Sequence, residues 1–109
     1  MSKTLNEYTL IVHEMAKEKG WHDGVPRSPL EIQMLIVSEL AEACEEARGS
    51  KPPYYEINGK PEGEAVELVD AMIRIMDYFG SRGWDVEQVL EKKIAYNAGR
   101  SYRHGNKAY

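Results

Sequence analysis

Residues 64–79 read EAVELVDAMIRIMDYF, and their periodicity decides the architecture. Ala65, Leu68, Val69, Met72, Ile73, Ile75, Met76 and Phe79 recur at helical spacing and cover a wide apolar arc. Glu67, Asp70, Arg74 and Asp77 fill the narrow stripe that remains. A helix this apolar is covered on several sides, so its polar stripe faces a cleft rather than open water. The arc also demands more burial than one small bundle supplies, which predicts a homodimer or homotetramer.

Three further helices follow from the same reasoning. Thr4 and Glu7 form a capping box for a helix over 5–19, stopped by Gly20. Leu5, Tyr8, Ile11, Val12 and Met15 are its apolar stripe. The segment SPLE opens the second helix, with Ser28 as N-cap, Pro29 at the first helical position and Glu31 closing the box. That helix ends at Gly49. The stretch 49–60, GSKPPYYEINGK, has two prolines and an Asn-Gly pair and reads as a long loop. The third helix is expected from Pro61 to Phe79, broken by GSRGW. Asp85 and Gln88 cap a fourth helix that ends at Gly99, leaving residues 99–109 as an irregular basic tail. The expectation is one all-α domain over residues 1–109, a four-helix bundle completed by oligomerisation.

Charge is unevenly distributed. All 18 acids lie in residues 1–91, whereas 92–109 carries Lys92, Lys93, Arg100, Arg103 and Lys107 and no acid. An acidic body argues against nonspecific nucleic-acid binding, so no nucleic-acid partner is expected. No run of eighteen apolar residues predicts a membrane span, and the N-terminus lacks the pattern of a secretory signal. A lone cysteine, Cys44, fits a reducing, cytoplasmic setting.

The second helix carries SELAEACEEARGS, residues 38–50. Glu39 and Glu42 sit three apart on one face, as do Glu67 and Asp70 on the third helix. Solvated helix surface is the ordinary reading of such acids. Glu39, however, lies between Leu35, Ile36 and Ala43, inside an apolar arc. Two carboxylates about 5 Å apart repel by roughly 3 kcal/mol at an effective dielectric of ~20. Four meeting in one cleft would consume much of a small domain's stability unless a cation joined them. Arg74 or a bound metal fills that need. The donors are hard oxygens, and no Glu-x-x-His occurs on either helix, which favours Mg²⁺, with Mn²⁺ as the alternative, over a di-iron site. Mg²⁺ in such sites shares ligands with phosphates, so a phosphate-bearing substrate is expected. Lys93, Asn97 and Arg100, at i, i+4 and i+7, form a stripe suited to phosphate charge, or to a merely exposed helix C-terminus.

ELAE, 24 residues, then ELVD is a Glu-x-x-Glu…Glu-x-x-Asp arrangement. Together with KGW at 19–21, GKPEGEAVELVDAMIRIMD at 59–77 and KIAYNAGRSYRHGNK at 93–107, it resembles the MazG-like all-α nucleoside triphosphate pyrophosphohydrolases across nearly the whole chain. The resemblance implies cleavage of a deoxy or noncanonical nucleoside triphosphate to monophosphate and pyrophosphate. It implies Mg²⁺ held by Glu39, Glu42, Glu67 and Asp70, with Glu39 or Glu42 as base. Lys93, Asn97 and Arg100 would meet the phosphates; Arg103 and His104 either join them or stay solvated in the tail, and Trp21 either stacks a base or packs within the bundle. Many members have an acid where this chain has Ser38, and Glu46 one turn on is a substitute. A phosphoribosyl-ATP pyrophosphohydrolase-like enzyme and a non-catalytic helical interaction module are the rival readings. Tyr54 and Tyr55 are loop residues, His13 and His22 have weak claims, and Met34, Met72 and Met76 are expected in the core.

Overall fold

Helix α1, Leu5–Glu18, begins where the Thr4 hydroxyl accepts from the Glu7 amide while the Glu7 carboxylate accepts from the Thr4 amide. A computed structural model of the chain describes residues 2–108, with the backbone alone at His104 and Asn106. Helix α2, Pro29–Arg48, starts on Ser28, whose hydroxyl accepts from the Glu31 amide. The Glu31 carboxylate does not complete the box but faces Arg27 at 3.8 Å.

The stretch expected as loop contains a hairpin. Strands β1, Tyr55–Ile57, and β2, Lys60–Glu62, pair antiparallel around Asn58 and Gly59, both at positive φ. That is the turn chemistry Asn-Gly favours in two-residue hairpins. Pro61, expected from sequence to open the third helix, lies in β2 instead.

Helix α3, Glu64–Arg82, starts after Gly63, which has φ 115° and no capping side chain. The Pro53 carbonyl accepts from Ala65 N–H at 3.0 Å and satisfies one of the free amides. A Cβ on Gly63 would overlap that carbonyl. At the other end α3 passes through Gly80 and stops at Gly83, in the left-handed region. Gly80 was expected to break the helix. It instead admits a neighbour, since a Cβ there would lie 2.7 Å from the Cβ of His13.

Helix α4, Val86–Ala98, is capped by Asp85 and tied to α1 by Asn6, which donates to Glu87 and Asp85 and accepts from the Glu87 amide. The tail, expected as irregular, includes a short helical turn, α5, Arg103–Asn106. The chain is thus mostly helical with one two-stranded sheet. The central helix α3 packs against α1 on one side and α2 on the other, and the principal contact of α4 is with α1.

Burial is sparse. Among the described residues only Thr9, Ala43, Gly63 and Ala71 are buried. Met34 and Met72, expected in the core, are 63% and 51% exposed because no element of this chain covers their faces. Leu68, Val69, Ile73 and Ile75 of the α3 arc are exposed as well. The accessible surface is 8608 Å², where a folded monomer of this mass exposes about 6100 Å². Among the described residues no helix is long and apolar enough to cross a membrane.

Candidate metal and substrate site

The acids of α2 and α3 meet. One carboxylate oxygen from each of Glu39, Glu67 and Asp70 lies within 4.8 Å of the other two. This follows from local structure: each i,i+3 pair shares a helix face, and α2 and α3 lie side by side. Glu42, the fourth expected ligand, is not in that trio but lies near enough to Glu67 to help raise its carboxyl.

The electrostatic cost is visible. Burial, then Glu42, then Asp70 and Glu39, push Glu67 up to about 7. Asp70 is raised by burial and by Glu39 and Glu42, while Arg74 and Lys60 pull it back. Arg74 Nε donates to Glu39 Oε1 at 2.9 Å, so the only guanidinium on the α3 stripe is already committed to one carboxylate.

A second set of acids adjoins the first. Glu46, Glu62 and Glu67 bring oxygens within 4.8 Å of one another, so Glu67 belongs to both groups. Glu46 accepts from the Tyr55 hydroxyl at 3.2 Å, and Lys60 Nζ lies 3.0 Å from Glu62. Because alternate strand residues share a face, the hairpin presents Tyr55, Ile57, Lys60 and Glu62 together. Sequence reasoning missed Glu62 and Lys60, and the signal that would have found them is the Asn-Gly turn read as a hairpin. Ser38 is exposed, and its hydroxyl donates to the Leu35 carbonyl.

Glu39, Asp70 and Arg74 line a cleft of about 1030 Å³ between α1, α2 and α3. Its walls include Trp21, Arg27, Leu35 and Ile73, and the Arg27 guanidinium lies 6.0 Å from the Trp21 ring centre. On the other side, Glu42, Glu46 and Glu67 line a hollow of about 390 Å³. The cleft can hold a molecule of nucleotide size, with apolar and aromatic walls at one part and carboxylates at another.

Of the expected substrate-binding residues whose side chains are described, only Trp21 lines this cleft. Lys93, Asn97 and Arg100 are exposed on α4, where the Lys93 and Arg100 cations sit over the Tyr96 ring at 5.0 and 5.6 Å. Arg103 lies over Tyr102 at 5.8 Å. The His104 side chain falls outside the described residues. A single chain does not bring this basic stripe into the cleft with the acids.

Comparison with family models, curated proteins and solved structures returns no match for the chain.

Proposed function

We propose that this chain is a Mg²⁺-dependent nucleotide pyrophosphohydrolase of the MazG-like all-α type. The observation that carries the reading is the convergence of Glu39, Glu67 and Asp70 from two helices at the edge of a nucleotide-sized cleft. The donors are all oxygen, and two of them, Glu67 and Asp70, are raised by burial and then by the neighbouring carboxylates. That donor set suits Mg²⁺ or Mn²⁺, held by Glu39, Glu67 and Asp70 with Glu42 beside them. When bound, the ion supplies polarisation of phosphate oxygens and a lowered pKa for water.

The chain's own residues do the rest. Arg74 orients Glu39 through one of its oxygens. Glu42, exposed and paired with no cation among the described residues, accepts the proton of the attacking water. The water oxygen bonds to the α-phosphorus, the bond to the bridging oxygen breaks, and pyrophosphate leaves. Trp21 and the apolar wall hold the base.

Lys93, Asn97 and Arg100 take part only through a second copy, because they do not line the cleft of their own chain. A homodimer or homotetramer would also complete the four-helix bundle. The surface excess is roughly 2500 Å² over a compact monomer, and a standard interface takes about 800 Å² per partner. The same exposed surface is what favours the second reading, a non-catalytic helical interaction module.

Pyrophosphate release from a panel of canonical, deoxy and noncanonical nucleoside triphosphates and phosphoribosyl-ATP, with Mg²⁺ present, tests the proposal. Wild type is expected to turn over at least one nucleotide, and Glu39→Gln and Asp70→Asn to lose more than about a hundredfold. Equal rates in the variants would remove the assignment. No turnover of any substrate would leave the interaction module.

A further inference from the structure

The polar stripe of α3 does not end at the acids. Asp77 lies seven residues beyond Asp70, two helical turns or about 10 Å along the same face. It meets two histidines there. His13 Nδ1 and His22 Nε2 both lie 2.8 Å from Asp77 Oδ1, and His22 is also 3.0 Å from Oδ2. We propose that His13, His22 and Asp77 form a transition-metal site, distinct from the carboxylate cluster and taking Zn²⁺ or an ion of similar preference.

Four observations support a site rather than a chance contact. The ligands come from three elements: α1, the connector after it, and α3. Their side chains are only 15%, 31% and 23% exposed. The two imidazoles meet edge to face, with centres 4.9 Å apart and planes at 78°, so their nitrogens converge instead of stacking. Lastly, Gly80 leaves its side-chain volume to His13, although glycine inside a helix costs about 1 kcal/mol relative to alanine. A hydrogen-bonded pin alone would not require two imidazoles on one oxygen.

The chemistry selects the ion. Two nitrogens and a carboxylate oxygen suit Zn²⁺, Co²⁺ or Ni²⁺, whereas the oxygen-only cluster suits Mg²⁺. Ligand atoms about 2.0–2.1 Å from a tetrahedral ion stand roughly 3.3 Å apart. The present 2.8 Å separations therefore open by about half an ångström on binding. Each imidazole then carries its proton on the far nitrogen, Nε2 of His13 and Nδ1 of His22. Three protein ligands would leave a fourth position open, and two of the three, His22 and Asp77, line the large cleft.

Co²⁺ titration of the full chain, in excess Mg²⁺ to saturate the oxygen site, tests this. One equivalent is expected to give the intense visible absorption of a low-coordinate nitrogen-containing site, displaced by Zn²⁺. His22→Ala and Asp77→Asn should lose the band and bind Zn²⁺ at least about tenfold more weakly, whereas Glu67→Gln and Asp70→Asn should keep it. Wild-type imidazole NMR gives a reading that no misfolded variant can confuse: Zn²⁺ should shift the ring signals of His13 and His22. A wild type without the band or those shifts, or a band that survives both His22→Ala and Asp77→Asn, overturns the site. None of these measurements depends on nucleotide hydrolysis.

Discussion

Replacing Glu67 by glutamine should stabilise the metal-free protein above neutral pH. The fold raises this carboxyl from 4.5 to about 7, chiefly by burial and then by Glu42. A carboxyl raised in the folded state binds protons more tightly there than in the unfolded chain. Its favourable contribution is therefore whole below pH 4.5, declines as the pH climbs from 4.5 to 7, and is gone above 7. At full strength the change corresponds to roughly 3 kcal/mol, and screening at this part-exposed position reduces it to about 1–2 kcal/mol. Glutamine mimics the protonated acid: it carries no charge and keeps a donor for Glu42. In EDTA at pH 8 and fixed protein concentration, Glu67→Gln should melt about 4–10 °C above wild type, while at pH 4 the two should coincide. Mg²⁺ should then raise wild type and leave the variant nearly unmoved, because binding to the folded state alone adds stability. Thermal unfolding followed by circular dichroism across pH 4–8 reads all of this. A variant no more stable than wild type at pH 8, or one that gains as much from Mg²⁺, would refute the idea that unbalanced charge at Glu67 awaits a cation.

Arg74→Met removes the partner of Glu39 and a group that pulls Asp70 down, so urea denaturation at pH 8 should show a loss of about 1–3 kcal/mol, with more recovery from Mg²⁺ than in wild type. Gly80→Ala forces a Cβ against His13; overpacking of about 1–3 kcal/mol outweighs a helix-propensity gain of about 1 kcal/mol, and the net loss should appear in the same assay. Sedimentation at micromolar concentration should find wild type as a dimer or tetramer, and Met72→Glu, on the exposed arc of α3, should shift it toward monomer.

The helix starts were legible because capping is local. Thr4, Ser28 and Asp85 each accept the amide three residues on, as their spacing requires. The hairpin was missed, since three-residue strands are too short to show alternation and the neighbouring prolines pointed to a loop, which left the Asn-Gly pair as its one signal. Pro61 misled because a proline before an acidic helix resembles a helix start, whereas here the edge of a two-stranded sheet tolerates it. Gly80 misled for a different reason: its role is the space it leaves for a side chain 67 residues earlier. The acid pairs on α2 and α3 were readable from their i,i+3 spacing and the apolar neighbours of Glu39. Glu62, Lys60 and the His13–His22–Asp77 trio were not, because each depends on which elements become neighbours. The α4 stripe marks the opposite limit: its periodicity shows a face, and nothing in one chain shows what that face meets.

The way α3 handles charge ties these results together. Its stripe carries Glu67, Asp70, Arg74 and Asp77 in order, so any neighbour must answer a line of mostly negative groups. The chain answers unevenly. At Asp77 two imidazoles from elsewhere in the chain satisfy the carboxylate. Arg74 serves Glu39 more than its own neighbours. Lys60, which pulls Asp70 down, is held by Glu62. What is left over falls on Glu67, which belongs to both groups of acids and is raised to about 7, by burial first and then by Glu42, Asp70 and Glu39. An amide in place of one of these acids would relieve the repulsion at little cost in helix propensity. Keeping all of them leaves a deficit of positive charge localised at one residue, and a divalent cation is the species whose charge and oxygen preference fit that deficit.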